Sequence, residues 1–394
     1  MLVARRNVLL LSVCQALLLM NNVVFISLNG LAGFMLATNK ALATLPVTGY
    51  LVGGALWAVP ASRVMKRHGR RAGFTIGSVM GMIGAAICAL AIALHSFELL
   101  CIGTLVTGAY NAFGIQYRFA AADAATPEFR PKAIALVLAG GIVGGILGPE
   151  SAKITKDLLA LPFVGSYLSL IVLALSSLAI LRFLDIPNPP PVAAAAPPRT
   201  LRVLLRQPEL VIAIVAASLS YGVMNLLMTA TPLAMGHEQH AFASVAFVIE
   251  WHVIGMFAPG FFTGSLIARF GTLRVMLTGV AFNLVCVAIG LAGHDVMHFW
   301  WSLTLLGVGW NFVFVGATTL LTQCYQPAEK ALVQGANDAC VFTTIALSSF
   351  ASGLLLHANG WTILNWISLV PIAILFAALV WMAMWRRARL ALTA

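Results

Sequence analysis

The sequence predicts an all-α membrane protein with twelve transmembrane helices in two pseudo-symmetric six-helix bundles. Three observations carry this. Of 394 residues, 61% are hydrophobic and only 9% charged, too little charge to cover a soluble domain of this size. Apolar runs recur along the whole chain, each near the ~20 residues that a helix needs to cross the hydrocarbon. One loop pattern also occurs twice, at matching places in the two halves.

The runs fall at about 8–29, 44–64, 73–94, 97–119, 133–151, 163–184, 209–231, 242–267, 274–293, 298–321, 334–357 and 361–385. The first has no small-residue cleavage site after it and is expected to be a retained helix. The fifth is rich in glycine, and the eleventh carries polar residues. Between the sixth and seventh lies a Pro- and Ala-rich linker, 186–207. Its prolines at 187, 189, 190, 191, 197 and 198 disfavour a regular helix. The expected domains are therefore residues 1–185 and 208–394.

The formal net charge is +11, and its distribution argues against nucleic acid, which would need the basic residues gathered on one surface. Of the 23 Lys and Arg residues, all but Lys40, Lys153 and Lys156 fall on one set of loops and helix ends. By the positive-inside rule that set is cytoplasmic. Both termini are then cytoplasmic, as an even helix count requires, and the expected location is a bacterial inner membrane. The six cysteines lie mostly inside apolar runs with no CxxC pair, which excludes a disulfide framework.

The repeated loop follows the second and eighth runs. It reads Arg63-Val64-Met65-Lys66-Arg67-His68-Gly69-Arg70-Arg71 and Gly264-Ser265-Leu266-Ile267-Ala268-Arg269-Phe270-Gly271. Placing Gly69 on Gly271 also places Arg67 on Arg269, a shared register that a general excess of positive charge does not explain. With this loop the chain resembles the major facilitator superfamily over essentially its full length. The family signature has the form Gly-x-Leu-Ala-Asp-Arg-x-Gly-Arg-Lys. The second copy departs at Ala268, which stands at the acidic position. The first departs at Lys66, where the family has Asp, and at Ser62, where it has Gly. The resemblance implies two bundles with a midplane site working by alternating access.

Polar and ionisable residues at membrane depth are the first functional candidates, because burying them in lipid is costly. The seventh run carries Met224 and Met228, and the eighth His252 and Met256; residues four apart share a helix face. Thioethers select Cu(I), and imidazole suits several transition metals. Methionine is also a frequent filler of irregular apolar cores, so both readings stand on pattern alone. Together the two pairs resemble those of CcoA-type copper importers. That resemblance implies Met224, Met228, His252 and Met256 as copper ligands, copper as the transported substrate, and a role in supplying haem–copper oxidases. It also implies a cytoplasmic copper chaperone as partner. The same branch is similar to riboflavin transporters. In that alternative the methionines are apolar lining, while Trp57, Trp251 and Tyr110 stack against a ring. A copper-binding receptor with no flux is a third reading.

Met235, His237 and His240 form an external loop with Glu238, either a periplasmic capture site or a polar loop. His294, Asp295, Met297 and His298 make a second such cluster. Glu250 lies about 200° around an ideal helix from His252; Glu250 and Asp338 are candidate proton-coupling carboxylates or helix-bridging acceptors. Asn21, Asn22, Tyr110 and Asn111 are candidate cavity-lining residues. Arg118 and Asp123 are expected to form a structural ion pair. Gly140, Gly141, Gly144, Gly145, Gly148 and Pro149 offer a small-residue face for close helix packing. No ATPase motif, catalytic triad or HExxH is present, so gradient-driven transport by a monomer in the bilayer is expected, with no enzymatic activity.

Overall fold

A computed structural model describes residues 2–38, 42, 45–186 and 199–393. Lys40 and the prolines between 187 and 198 lie outside the described residues. All regular structure among the described residues is helical: α1 (Leu2–Leu36), α2 (Leu45–Ala93), α3 (Phe97–Gly114), α4 (Tyr117–Ala124), α5 (Arg130–Ala139), α6 (Gly141–Thr155), α7 (Val164–Leu181), α8 (Leu201–Leu204), α9 (Pro208–His237), α10 (Phe242–Phe257), α11 (Gly260–Phe270), α12 (Thr272–Ala292), α13 (Val296–Leu321) and α14 (Lys330–Thr393). The short α8 falls inside the stretch expected to lack a helix, beyond its last proline.

Ten helical segments among the described residues are long and apolar enough to cross a membrane. Dividing the longest of them, α2, gives eleven passes, and the first part of α14, outside this set, supplies the twelfth expected one. α2 spans 49 residues with non-helical backbone at Gly69, and α14 spans 64 with a break at Gly360. At ~1.5 Å per residue each is far longer than one crossing. The segment of α14 before Gly360 holds Gln334, Asn337 and Asp338 and is the pass missing from the set of ten. Other passes are interrupted. Pro259, which has no N–H to donate, separates α10 from α11, and Ile115–Gln116 separates α3 from α4.

The loop repeat is visible in the backbone. Gly69 has φ 84° and ψ 166°, and Gly271 has φ 86° and ψ 152°. Both occupy the same left-handed region, where a Cβ is unfavourable. One register therefore yields one turn in both halves.

The chain divides into two compact units. Unit 1 comprises Met1–Thr126, Leu136–Ala196 and Pro327–Thr343; unit 2 comprises Pro127–Ala135, Pro197–Gln326 and Thr344–Ala394. Each takes most of one half, but the first turns of α5 and α14 belong to the unit of the other half. Small residues admit them. A Cβ on Gly264 would lie 2.4 Å from the Lys132 Cα, so the signature glycine of unit 2 is what lets α5 approach. In unit 1 that position is Ser62, and the glycine sits on the opposing helix instead. A Cβ on Gly335 would lie 3.1 Å from the Ser62 Cβ.

Within unit 1, α2 packs along α3, and α1 packs on α6 and α7. The expected small-residue face is used here. Cβ atoms on Gly140 and Gly144 would come within 2.2 and 2.3 Å of the Ser12 and Ala16 carbonyl oxygens, and one on Gly148 within 2.8 Å of the Val23 Cβ. In unit 2, α13 is the central helix. It packs against α9, α10 and α12, and 83% of its apolar window is buried, against 28% for Gly360–Ala388.

Candidate functional site

Unit 1 holds a chain of neutral polar groups. The Tyr50 hydroxyl donates to Asn22 Oδ1 at 2.5 Å, and Asn22 Nδ2 donates to Asn111 Oδ1 at 3.0 Å. Asn22 and Asn111 are half-buried and Tyr50 is fully buried. The Phe25 ring lies 4.8 Å from the Tyr50 ring, centroid to centroid. Of the four candidate lining residues, the structure thus joins Asn22 to Asn111. Tyr110 and Asn21 are buried, and neither polar side-chain atom of Asn21 has a partner among the described residues. Tyr50 completes the chain, and the sequence analysis did not single it out. Replacing it with Phe removes one internal hydrogen bond while keeping the ring. The expected cost is about 1 kcal/mol, read as a lowered midpoint of thermal unfolding in detergent. An unchanged midpoint would show that the hydroxyl is dispensable.

Below this lies a charged network. Arg70 donates to Asp123 at 3.0 Å, to Gln116 Oε1 at 2.6 Å and to Gln334 Oε1 at 2.6 Å. Lys330 Nζ stands 2.6 Å from the same Asp123 carboxylate. Lys66, at the position where the family has Asp, donates to the Ala328 carbonyl at 2.8 Å. The expected Arg118–Asp123 pair is not formed. Residues five apart on α4 lie about 140° around the helix from one another, and Arg118 turns the other way, to Asp338 at 2.6 Å. Their side chains are 1% and 0% exposed. Asn337 Nδ2 also donates to Asp338, at 3.0 Å. Asp338 is therefore a buried acceptor held by two donors. Glu250, the other candidate carboxylate, is exposed on α10, while His252 two residues on is fully buried. They lie on opposite faces, as the helical angle requires.

In unit 2 the four candidate copper ligands sit on two helices that both pack on α13 more than on each other. Met224 and Met256 are buried at 4% and 6% exposure, and Met228 is half-buried. One ring nitrogen of His252 is already engaged, with Nδ1 2.7 Å from the Leu303 carbonyl oxygen; Nε2 has no partner among the described residues. The approach of α10 to α13 is a close one: a Cβ on Gly307 would lie 2.5 Å from the His252 carbonyl oxygen. Asn311 bridges the break after α10. It donates to the Met256 carbonyl at 2.7 Å and accepts from the Thr263 hydroxyl at 2.7 Å. His252 thus serves at least as a clamp between helices. Among the described residues, no group of three or more His, Cys, Asp or Glu side chains is arranged to hold a metal ion.

The two loop clusters are joined through Glu238, His240 and His294. Glu238 Oε1 is 2.8 Å from His294 Nδ1, and His240 Nε2 is 2.7 Å from the His294 carbonyl oxygen. Met235 is fully buried and His237 exposed, so the three residues of the expected capture site face different surroundings.

The aromatic residues regroup as well. Trp251, 37% exposed, lies edge-on to Trp300 at 5.4 Å in a surface cluster with Phe247. Trp57 is half-buried, 6.2 Å from the Phe113 ring. The tighter cluster is one that sequence reasoning missed. Tyr221 meets Trp310 and Phe314 edge-on at 5.0 and 4.9 Å, and Trp310 and Phe314 stack at 5.0 Å. Its sequence signal was a Tyr one helical turn before Asn225, on the same face of the seventh run.

The profile described as Major Facilitator Superfamily matches residues 11–249 and 213–393. The chain is 41% identical over 380 residues to the riboflavin transporter RfnT of Brucella anthropi, covering 96% of each protein. It is 27% identical to the uncharacterized MFS-type transporter YdeG of Bacillus subtilis, over 88% of this chain and 84% of that one. Among solved structures it is similar to the fucose:proton symporter FucP of E. coli, with TM-score 0.75 at 14% identity, over 95% of this chain and 98% of that one; at that identity the likeness is one of fold. The near full-length match to a riboflavin transporter overturns the copper-importer expectation, and with it the oxidase-supply role. The paired methionines and histidine are a short pattern that helix packing also produces, whereas the identity spans the whole chain. The chain belongs to the Major Facilitator Superfamily and is a multi-pass membrane carrier.

Proposed function

We propose that this protein is a secondary carrier of riboflavin or a closely related flavin. The observation that carries the reading is the 41% identity over 96% of both chains to a riboflavin transporter. Two features support it. The half-buried polar groups at mid-helix, Asn22 and Asn111 in unit 1 and Asn225 in unit 2, are neutral carboxamides suited to an uncharged solute with hydrogen-bonding edges. On α9, Tyr221 lies one helical turn from Asn225 with its ring against Trp310. Met224, Met228 and Met256 are then apolar lining or core. The bias of Lys and Arg to one set of loops supports a bacterial inner membrane with both termini cytoplasmic. Asp338 is the preferred coupling carboxylate, since it is fully buried with Arg118 and Asn337 both donating to one of its oxygens, while Glu250 is exposed.

Uptake of labelled riboflavin by a bacterial riboflavin auxotroph lacking its own transporter tests the reading. Cells making the chain are expected to accumulate riboflavin at least about tenfold over empty-vector cells. Met228→Leu, a volume-conserving change, is expected to keep most of that uptake. No accumulation at verified membrane expression would sink the proposal.

A further inference from the structure

Asn225 sits near the middle of α9 and its amide orientation is set by its neighbours. Nδ2 lies 3.2 Å from the Ile345 carbonyl oxygen and 3.0 Å from Ser348 Oγ. A backbone carbonyl can only accept, so the amide nitrogen must face it and Oδ1 must point away. The two N–H groups are thereby used, and Oδ1 remains as a fixed acceptor on a half-buried residue. A carboxamide oxygen at this depth is costly against hydrocarbon and is favoured where water or a polar solute reaches it.

Tyr221 lies one turn earlier on the same face of α9, also half-buried. Its ring is held edge-on by Trp310 and Phe314. Trp310 is 1% exposed, yet its Nε1–H has no acceptor among the described residues. A buried indole N–H normally finds a partner. One helix face therefore offers a fixed acceptor and an aromatic ring, and the residue backing that ring holds an unmet donor.

We infer that Tyr221, Asn225 and Trp310 form a subsite of unit 2 that reads a flat heteroaromatic solute by its imide edge. Asn225 Oδ1 accepts from the ring N–H, the Trp310 N–H donates to an adjacent carbonyl, and Tyr221 covers the ring. The inference rests on the flavin reading and deepens it by naming the part of the solute recognised. Methionines and apolar lining alone would accept any flat ring; this subsite would reject one whose imide nitrogen is blocked.

Equilibrium dialysis of the purified full chain against lumichrome, and against lumichrome methylated at the imide nitrogen, tests it. Lumichrome carries the ring and imide edge without the ribityl chain. The wild type is expected to bind lumichrome about tenfold tighter than the methylated form, the worth of one desolvated hydrogen bond. Asn225→Ala should bring the two within about twofold, chiefly by weakening lumichrome. The ratio is internal to each preparation, so a variant that folds in lower yield loses capacity without changing it. Trp310→Phe, which keeps a ring, should weaken both ligands severalfold. A wild type that binds neither or does not distinguish them, or an Asn225→Ala that keeps the tenfold preference, would overturn the inference. Lumichrome binding with the expected preference but no riboflavin uptake in cells would refute flavin transport and leave the subsite standing.

Discussion

Replacing Arg118 with alanine is expected to destabilise the protein by about 3–5 kcal/mol and to abolish transport. The guanidinium and the Asp338 carboxylate meet at 2.6 Å with almost no exposure. Removing the arginine leaves a buried carboxylate whose remaining hydrogen-bond donor among the described residues is the Asn337 amide. The loss reflects the stranded charge more than the net worth of the pair, since two charges brought out of water recover little beyond their desolvation. That distinction can be measured. An Arg118→Met, Asp338→Leu double variant should recover much of the thermal stability lost in Arg118→Ala, while Asp338→Leu alone should not. Transport should stay absent in the double variant if Asp338 couples proton movement, and return if the pair is only structural. Equal stability of Arg118→Ala and wild type in detergent would contradict the burial argument.

Gly108→Ala should cost at least about 2–3 kcal/mol, although alanine is the better helix former by ~1 kcal/mol. A Cβ there would lie 2.4 Å from the Tyr50 carbonyl oxygen, 2.6 Å from the Gly54 nitrogen and 2.8 Å from the Gly53 carbonyl carbon. All three are backbone atoms, so no rotamer change relieves the contact and α2 must move away from α3. Tyr50 moves with it, and with it the donor to Asn22. Solute affinity should therefore fall along with stability. Gly236→Ala is the matched control, because nothing lies within 4 Å of its added Cβ. A Gly108→Ala protein as stable as that control would show that the helices have room to part.

Much of the fold was legible in the sequence because its determinants are local. Membrane spans are set by runs of apolar residues, and the shared register of Gly69 and Gly271 became the same left-handed turn. The glycines expected to allow close packing do so at Gly140, Gly144 and Gly148. The site was less legible, because its contacts join residues far apart in the chain. Asp123 is the acid near Arg118 in sequence, but the carboxylate that Arg118 meets is 220 residues away. Tyr50 lies in a largely apolar run, and the Asn22 that gives it a role is 28 residues away. The copper reading failed for a related reason. Met-x3-Met and His-x3-Met report only that two side chains share a helix face, and on α10 the His252 ring and the Met256 carbonyl are taken up by contacts to α13.

By itself the sequence determined that this is a helical membrane protein of twelve passes in two related halves, because hydropathy and turn register act over twenty residues or fewer. Only the tertiary structure decided which polar groups meet. It put Asn22 with Asn111 and Tyr50, Asp338 with Arg118, and Asn225 with the backbone of α14. In a bilayer a polar side chain takes whatever partner helix packing brings within ~3 Å, and that neighbour is set by three-dimensional contact rather than by distance along the chain.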